Sequence, residues 1–301
     1  MRSFATADAI RRIKLDGCVE LSDEQLAELQ TKLYMMVGDM LNAAEESDTK
    51  LILGGGSALG AFRHGGIIPW DDDVDLMIVR SEFDRFISTF ERMYADKYWI
   101  HIPGKTPGYN LLFPQIRLKG TSVRSRDDVS NDECGLAIDL FVIENTYDNA
   151  IRRNWHCFRS MFYGFAVSAR KFYRDRKALK PFIKGSGSTK LRIMASIKTA
   201  FGFLISFKDI DWWVRRGDRC HAACRDDNSR FVTVPTGRKH FRGEMYKRND
   251  YLPGKKISFG PYELSCPGDI KGYLGRLYGD YDRIPEEDER EHHIYMEPFH
   301  L

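Results

Sequence analysis

The sequence predicts an α/β fold of the α+β type, in which helices flank a mixed β-sheet. Short apolar segments of strand length occur at residues 50–53, 74–79 and 135–143. Longer segments with helical periodicity separate them, and this alternation is typical of a sheet covered by helices. A hydrophobic content of 43% and a charged content of 30% are those of an ordinary globular protein.

The elements of the first part follow one another in a regular order. Ser22 and Gln25 have the spacing of a helix capping box, and apolar residues then recur at helical spacing up to Glu46. The later elements are a strand at 50–53, a short helix at 58–63, a strand at 74–79, a helix capped by Ser81, a partly alternating segment at 111–119 and a strand at 135–143. This order predicts that the strands share one mixed sheet.

The character of the chain changes near Asn149. The segments beyond it are an aromatic and basic helix candidate at 155–176, a Gly/Ser-rich loop at 184–188, an apolar helix candidate at 191–207 and a small β region at 231–261. We therefore expect one domain over residues 1–301. An α/β core occupies about residues 22–148 of it, and a helical and small-β part that binds the substrate occupies about residues 149–301.

Charge and hydropathy limit the partners and the location that the sequence predicts. The net charge of +3 is too small to indicate nucleic acid as a partner. The first residues lack the apolar core of a signal peptide, and no apolar run approaches the ~20 residues that span a bilayer. A cytoplasmic location is therefore expected. The aromatic and basic segments at 155–176 and 191–207 are either helices of the core or a peripheral contact with the inner face of the membrane.

Carboxylates alternate along residues 71–75, which lead into the second predicted strand. Side chains on a strand alternate between its faces, so Asp73 and Asp75 point the same way and Asp71 could join them. Carboxylates held this close repel one another unless a cation lies between them, and hard oxygen ligands favour Mg²⁺ or Mn²⁺. Asp139, a single acid within an apolar strand, is the best candidate for a third carboxylate at the site.

Two other structures could account for the acidic segment, namely a solvated turn and a calcium-binding loop. The apolar residues directly after Asp75 do not favour a solvated turn. An EF-hand needs glycine at the sixth position of its loop, where this chain has Leu76, so we reject the calcium loop.

A glycine-rich segment, Gly54-Gly55-Gly56-Ser57, lies between the first two predicted strands. The backbone N–H groups of Gly55, Gly56 and Ser57, at the start of the short predicted helix, could bind a phosphate. A simple loop is the alternative for this segment. Arg63 lies just beyond it and is either a phosphate ligand or an exposed surface residue. Together with the acids, the segment predicts a site for a metal ion and a nucleotide.

The same residues carry a close resemblance to a known family. The chain from Gly56 to Asp75, with its Trp70-Asp71-Asp72-Asp73-Val74-Asp75 block, closely resembles the signature of the LicD family. The resemblance extends to residues 115–119, to a G-x-x-I-D-x-F element at 135–141, and to residues 278–281 with Arg290, His292 and His293. It therefore touches both ends of the chain, whereas residues 149–252 match weakly.

The LicD family includes bacterial phosphorylcholine transferases and is related to fukutin-type ribitol-phosphate transferases. The resemblance therefore implies an enzyme with a nucleotidyltransferase-like fold and a CDP-activated alcohol as donor. It also implies that Asp73 and Asp75 hold Mg²⁺ or Mn²⁺, with Asp139 as the third acid. The candidate binding residues are Gly55, Gly56, Ser57, Arg63, Arg117, Lys119, His292 and His293. Arg117 could stabilise charge on the transferred group, and His292 and His293 bind the metal ion, the donor or the acceptor, or only cap a polar tail. One departure from the family is Gly-Ser-Ala-Leu-Gly at residues 56–60, where Gly-Thr-Leu-Leu-Gly is frequent; serine still offers a hydroxyl.

The leading hypothesis is transfer of a phospho-alcohol, either phosphocholine or a polyol phosphate, from a CDP-activated donor. The acceptor would be a hydroxyl of a cell-surface glycan or of a lipid-linked glycan, in a lipopolysaccharide or a teichoic acid. Asp73, Asp75 and Asp139 are the predicted catalytic residues, and Asp139 is either a metal ligand or the base for the acceptor hydroxyl. The alternatives are nucleotidyl transfer with release of pyrophosphate and a non-catalytic module that binds a nucleotide or a glycan.

Overall fold

The computed structural model describes residues 18–125, 128, 131–185, 187–286, 290 and 295–301. The helices are α1 (Asp23–Glu46), α2 (Gly55–His64), α3 (Arg80–Tyr94), α4 (Ala150–Arg174), α5 (Arg176–Gly185), α6 (Thr189–Leu204), α7 (Ile210–His221), α8 (His240–Gly243), α9 (Arg248–Tyr251) and α10 (Ile270–Tyr278). The strands are β1 (Cys18–Val19), β2 (Ile52–Leu53), β3 (Asp75–Val79), β4 (Tyr98–His101), β5 (Gln115–Leu118), β6 (Ser122–Arg124), β7 (Ala137–Thr146), β8 (Phe231–Thr233), β9 (Met245–Lys247), β10 (Lys255–Phe259), β11 (Tyr262–Cys266) and β12 (Tyr295–His300).

Within the described ranges, nine strands form one mixed sheet, whose main path runs β10-β11-β2-β3-β7-β5-β4. At its centre β3 and β7 are parallel, whereas β2 is antiparallel to β3 and β5 is antiparallel to β7. Strand β8 pairs with the C-terminal end of β7 and with β9. Strands β1, β12 and β6 form a separate three-stranded sheet. The prediction of a mixed sheet flanked by helices is confirmed.

Helix α1 begins where the capping box predicts. The Ser22 hydroxyl accepts a hydrogen bond from the Gln25 N–H at 3.3 Å, and the Gln25 side chain accepts one from the Ser22 N–H at 3.0 Å. Apolar residues three and four positions apart then give the helix one buried face, which belongs to the same core as the central strands. The residues of that face are Leu29, Leu33, Met36, Val37 and Met40.

Two predicted helix starts are wrong by a few residues. The short helix predicted at 58–63 begins at Gly55, so the glycines form its first turn instead of a loop before it. The helix predicted to be capped by Ser81 begins at Arg80 with Val79 as its N-cap. The reason is that β3 passes directly into α3, and the extended backbone of Val79 (φ −72°, ψ 144°) makes the change without a side-chain cap.

The helices that follow β7 have small apolar clusters of their own. One cluster includes Ala166 and Val167 of α4 and Val214 of α7, and another includes Phe172 of α4 and Leu191 of α6. The predicted loop at 184–188 is partly helical, since α5 extends to residue 185; residue 186 lies outside the described part. In the described ranges, none of the helices is both long enough and apolar enough to cross a bilayer.

The sheet continues into the C-terminal part of the chain. Strand β11 lies parallel to β2, with Ser265 opposite Ile52, and β10 extends the edge beyond β11. The small β region predicted at 231–261 is therefore present as β8, β9 and β10, and its last strand belongs to the main sheet. Strands from both sides of residue 148 share one sheet. The division of the chain near this residue stays a prediction.

Candidate active site

The two parallel central strands bring two predicted acids side by side. Asp75, the first residue of β3, is the register partner of Asp139 on β7. Residues in register on neighbouring strands point to the same face, about 4.8 Å apart. Burial alternates before Asp75, because Asp71 and Asp73 are half-buried whereas Asp72 is buried. The structure therefore places Asp71, Asp73 and Asp75 on one side of the segment and Asp139 next to Asp75.

The glycine segment packs directly against these carboxylates. Gly55 has a φ of +41°, and a Cβ there would lie 2.2 Å from Asp75 Oδ2; a Cβ on Gly56 would lie 3.0 Å from Asp71 Oδ2. The Ser57 hydroxyl accepts a hydrogen bond from the Asp75 N–H at 2.8 Å. The N-terminal end of α2, where the helix dipole is positive, thus lies beside the acids. The predicted phosphate contacts of Gly55, Gly56 and Ser57 stay a prediction.

Replacing Gly55 by alanine is expected to lower turnover at least tenfold. The left-handed backbone costs an L-residue roughly 1–2 kcal/mol, and the new methyl group would displace the Asp75 carboxylate. Thermal unfolding and steady-state kinetics would measure both effects. Gly164→Ala on α4 is the matched control, because no heavy atom lies within 4 Å of its added Cβ. Normal turnover of Gly55→Ala would contradict the close approach of α2 to Asp75.

A chain of hydrogen bonds runs from Asp139 through Gln115 and Arg117 to Asp128. The Gln115 side-chain amide donates to Asp139 Oδ1 at 2.7 Å, and Arg117 Nη2 donates to Gln115 Oε1 at 2.7 Å. Arg117 Nη2 also lies 2.7 Å from Asp128 Oδ1, in a buried ion pair. The structure buries the Arg117 guanidinium between Gln115 and Asp128, and the predicted contact of Arg117 with the donor stays a prediction. Through Gln115 the Arg117 side chain is linked to Asp139 by hydrogen bonds.

Two other predicted donor contacts, Arg63 and Lys119, have side chains that are hydrogen-bonded to backbone carbonyls. The Arg63 guanidinium donates to the backbone carbonyls of Tyr281 and Arg283 at 3.3 and 3.1 Å, and so holds a C-terminal segment against α2. Burial lowers the pKa of Arg63. Lys119 Nζ donates to the Ala95 carbonyl at 2.6 Å, at the C-terminal end of α3. His292 and His293 lie outside the described residues.

Tyrosines from the last third of the chain complete the surroundings of the acids. Tyr273 Oη accepts a hydrogen bond from the Gly55 N–H at 2.8 Å. Burial and the negative charges of Asp75, Asp71 and Asp73 raise the pKa of Tyr278, so its hydroxyl stays protonated beside the carboxylates. The Tyr295 hydroxyl, also of raised pKa, is hydrogen-bonded to Asp72.

These tyrosines were not predicted as site residues. Tyr278 and Arg290 belong to segments that carry the family resemblance, and only this resemblance could have indicated that they lie near the acids. The Arg290 guanidinium lies 4.3 Å from the centre of the Trp70 ring, so the end of the chain reaches the acidic signature.

The loop between β8 and β9 brings Arg238 to Tyr278, with the guanidinium carbon 5.5 Å from the ring centre. Beneath this loop, burial raises the pKa of Glu244 to about 7, although the positive charges of Lys239 and Arg238 act in the opposite direction. The Glu244 carboxylate accepts from the Lys239 N–H at 2.8 Å. The loop that carries Arg238 is thus supported by a carboxyl group that titrates near neutral pH.

Glu244 is expected to make stability fall as the pH rises from about 4.5 to about 7. In that window the unfolded chain releases the proton and the folded chain keeps it, so the free energy of unfolding decreases, by on the order of 3 kcal/mol in total. Urea denaturation across the pH range, compared with Glu244→Gln, would measure this contribution. The difference between the two proteins should change with pH; a constant difference would contradict the raised pKa.

The donor atoms of the site are suited to a hard divalent cation. Asp73, Asp75 and Asp139 supply only carboxylate oxygens, the ligands that Mg²⁺ and Mn²⁺ prefer. In the part of the chain that the structure describes, no three His, Cys, Asp or Glu side chains form a ready metal-binding group. The acids are therefore neighbours by register and face, and their assignment as metal ligands stays a proposal.

Comparison with known proteins identifies the family of the chain. Residues 49–110, which contain the glycine segment and the acidic strand, match the family model described as the LicD/FKTN/FKRP nucleotidyltransferase domain. The chain is 53% identical over 267 residues to the lipopolysaccharide cholinephosphotransferase LicD of Haemophilus influenzae, covering 80% of this chain and 86% of that protein. It is also 32% identical over 84 residues to an uncharacterized protein of Rickettsia prowazekii, of which it spans 32%. The chain belongs to the LicD family.

Proposed function

We propose that this protein transfers phosphocholine from CDP-choline to a hydroxyl group of a lipopolysaccharide precursor. Membership of the LicD family establishes a phosphotransferase enzyme. The choline head group and the lipopolysaccharide acceptor are proposed because a relative with 53% identity over most of both chains is named for them. Polyol-phosphate donors and teichoic acid acceptors have no such support, because the name of that relative includes neither.

The observation that carries the proposal is the pairing of Asp75 with Asp139 beside the first turn of α2. A diphosphate donor carries charges that need compensation, and a hydroxyl acceptor carries a proton that must leave. Within one small region, the carboxylates can supply cation ligands and a base, and the helix N-terminus can supply N–H groups that bind phosphate.

The transfer would proceed by displacement at the phosphorus atom that bears choline. The acceptor oxygen forms a bond to this phosphorus, and the bond from phosphorus to the bridging oxygen breaks, so that CMP leaves with that oxygen. Asp139 either takes the proton of the acceptor hydroxyl or helps Asp73 and Asp75 to hold the cation. Bound Mg²⁺ or Mn²⁺ would supply neutralisation of the diphosphate charge. Gln115 and Arg117 would keep the Asp139 carboxylate in its orientation.

Tyr278 and Arg238 are the groups that we propose for contacts with the donor beside the acids. Tyr278 keeps its proton because the neighbouring carboxylates and burial raise its pKa. It can therefore donate a hydrogen bond to a phosphate oxygen. Arg238 is exposed and lies next to this ring, where a guanidinium would favour an anionic ligand.

We place the enzyme in the cytoplasm, where nucleotide-activated donors are made, and in peripheral contact with the inner face of the membrane. A lipopolysaccharide precursor is held in a membrane by its lipid part, so a transferase with a water-soluble donor must work at the membrane surface.

Product analysis separates this proposal from the two alternatives. Purified protein would be incubated with Mg²⁺ and, in parallel, with CDP-choline, CDP-ethanolamine, CDP-glycerol or CDP-ribitol, together with a lipopolysaccharide acceptor. We expect CMP release only when CDP-choline and the acceptor are both present, and loss of this release with EDTA. In a separate incubation with CTP and phosphocholine, release of pyrophosphate would indicate nucleotidyl transfer instead. Binding of the nucleotide without turnover of any donor would indicate a non-catalytic module.

A further inference from the structure

Helix α4 carries a row of large apolar side chains that the described part of the chain leaves exposed or only partly covered. Along its first four turns the exposed residues are three or four positions apart, which places them on one face of the helix. They are Ile151, Trp155, Phe158, Phe162 and Phe165. Trp155 is 60% exposed and Phe158 is 61% exposed, and their rings stack with centroids 5.5 Å apart. Such a row on the surface of a globular protein marks a contact with another apolar phase or molecule.

The row continues onto the segment after α6. Phe162 and Phe207 both pack on the Trp213 ring, with centroids 6.4 and 6.2 Å away. Phe165 lies 5.1 Å from Phe201 of α6. Phe207 is 72% exposed and Leu204 is 70% exposed. The apolar residues of α4 and those at the end of α6 therefore form one surface, which we call the α4–α6 face.

The chain around this face is strongly basic. Residues 150–204 contain thirteen lysines and arginines and a single acidic residue, Asp175. Asp175 is buried and paired with Arg174 at 2.7 Å, so the acid adds nothing to the exposed charge. The whole chain has a net charge of only +3, so the remaining residues together are negative. Arg152 and Arg159 are exposed on α4 itself, between the apolar residues.

A close packing contact keeps α4 and α6 together beneath this surface. A Cβ on Gly202 of α6 would lie 2.2 Å from the Ala169 carbonyl oxygen of α4. The Gly202 carbonyl also accepts a hydrogen bond from Arg170 at 3.1 Å. The exposed apolar residues therefore belong to a packed helical layer, and their exposure is not a consequence of loose structure.

We propose that the α4–α6 face docks on the surface of a bilayer that contains anionic phospholipids. Apolar side chains of an amphipathic helix enter the boundary between head groups and acyl chains, and lysines and arginines around them attract the phosphate groups. A second copy of this chain is a poorer occupant, because a symmetric contact would bring two strongly basic faces together. The inference rests on the proposed function, in which the acceptor is carried by lipid.

Vesicle flotation tests the docking without any assay of activity. The protein would be floated with vesicles of phosphatidylcholine mixed with phosphatidylglycerol and with vesicles of phosphatidylcholine alone. We expect it to float with the anionic vesicles, to float much less with the neutral ones, and to be released as salt is raised. The double variant Trp155→Ser/Phe158→Ser should bind the anionic vesicles at least about tenfold more weakly. Arg152→Glu/Arg159→Glu should also bind more weakly.

The controls separate this docking from self-association and from a general effect of removing apolar surface. Met35→Ser on α1 removes a partly exposed apolar side chain outside the face and should bind like the unmodified protein. Absence of flotation with anionic vesicles, or equal binding by the Trp155/Phe158 variant, would overturn the inference. So would a dimer in light scattering that the same variant dissociates. CMP release from CDP-choline with a detergent-dispersed acceptor tests the proposed function separately, since it needs no intact membrane.

Discussion

Asp75→Asn is expected to lower kcat by on the order of a thousandfold or more while the protein stays folded. Asparagine keeps the size of the side chain and removes its charge. The carboxylate lies between Asp139, its register partner on β7, and the first turn of α2. At this position it would help to hold the cation that compensates the charge of the donor. Asp73→Asn should have an effect of the same kind, because Asp73 lies on the same side of the segment.

A matched control distinguishes the loss of this carboxylate from a general effect of removing charge. Asp84→Asn changes an exposed aspartate of α3, 3.1 Å from Lys105, and should leave turnover unchanged. Circular dichroism and the unfolding temperature would establish that all variants are folded. Turnover of folded Asp75→Asn within a few fold of the unmodified protein would remove Asp75 from the catalytic site.

Arg117→Ala is expected to reduce the free energy of unfolding by about 3–5 kcal/mol. It leaves the buried Asp128 carboxylate without its guanidinium partner, and it frees the Gln115 amide that orients Asp139. Arg117→Lys restores the charge but not the forked geometry, so it should recover part of the stability. Urea denaturation would measure these differences.

Gln115→Ala separates the positioning role from the stability of the buried ion pair. It removes the hydrogen bond to Asp139 without removing a charge, so we expect a small loss of stability and a fall in kcat of roughly tenfold. The KM for the CDP donor should change little. A stable Arg117→Ala protein with a greatly raised donor KM would instead show that Arg117 contacts the donor directly.

The local features of the fold could be predicted from the sequence because they depend on neighbouring residues. The capping box of Ser22 and Gln25 placed the start of α1, and the period of two placed Asp73 and Asp75 on one side. Asp139 was expected on a neighbouring strand because a single acid in an apolar strand needs polar surroundings. The register of β3 and β7 confirms that position, although its role as base or ligand is untested.

The long-range features could not be predicted in the same way. The contact between Tyr273 and Gly55 joins residues 218 positions apart, and no local pattern encodes it. Nothing in the sequence indicates that Arg117 is buried, since an arginine on a strand suits an ion pair with Asp128 and a contact with a ligand equally well. The start of α2 was misplaced because glycine is a poor helix former, whereas here it is required by the closeness of Asp75.

Mass spectrometry of the lipopolysaccharide acceptor after incubation with CDP-choline and Mg²⁺ is the most direct test of phosphocholine transfer by this protein. We expect one phosphocholine group on the acceptor for each CMP released, and neither product with the Asp75→Asn protein. Release of CMP without a modified acceptor, or a modified acceptor with the Asp75→Asn protein, would contradict it.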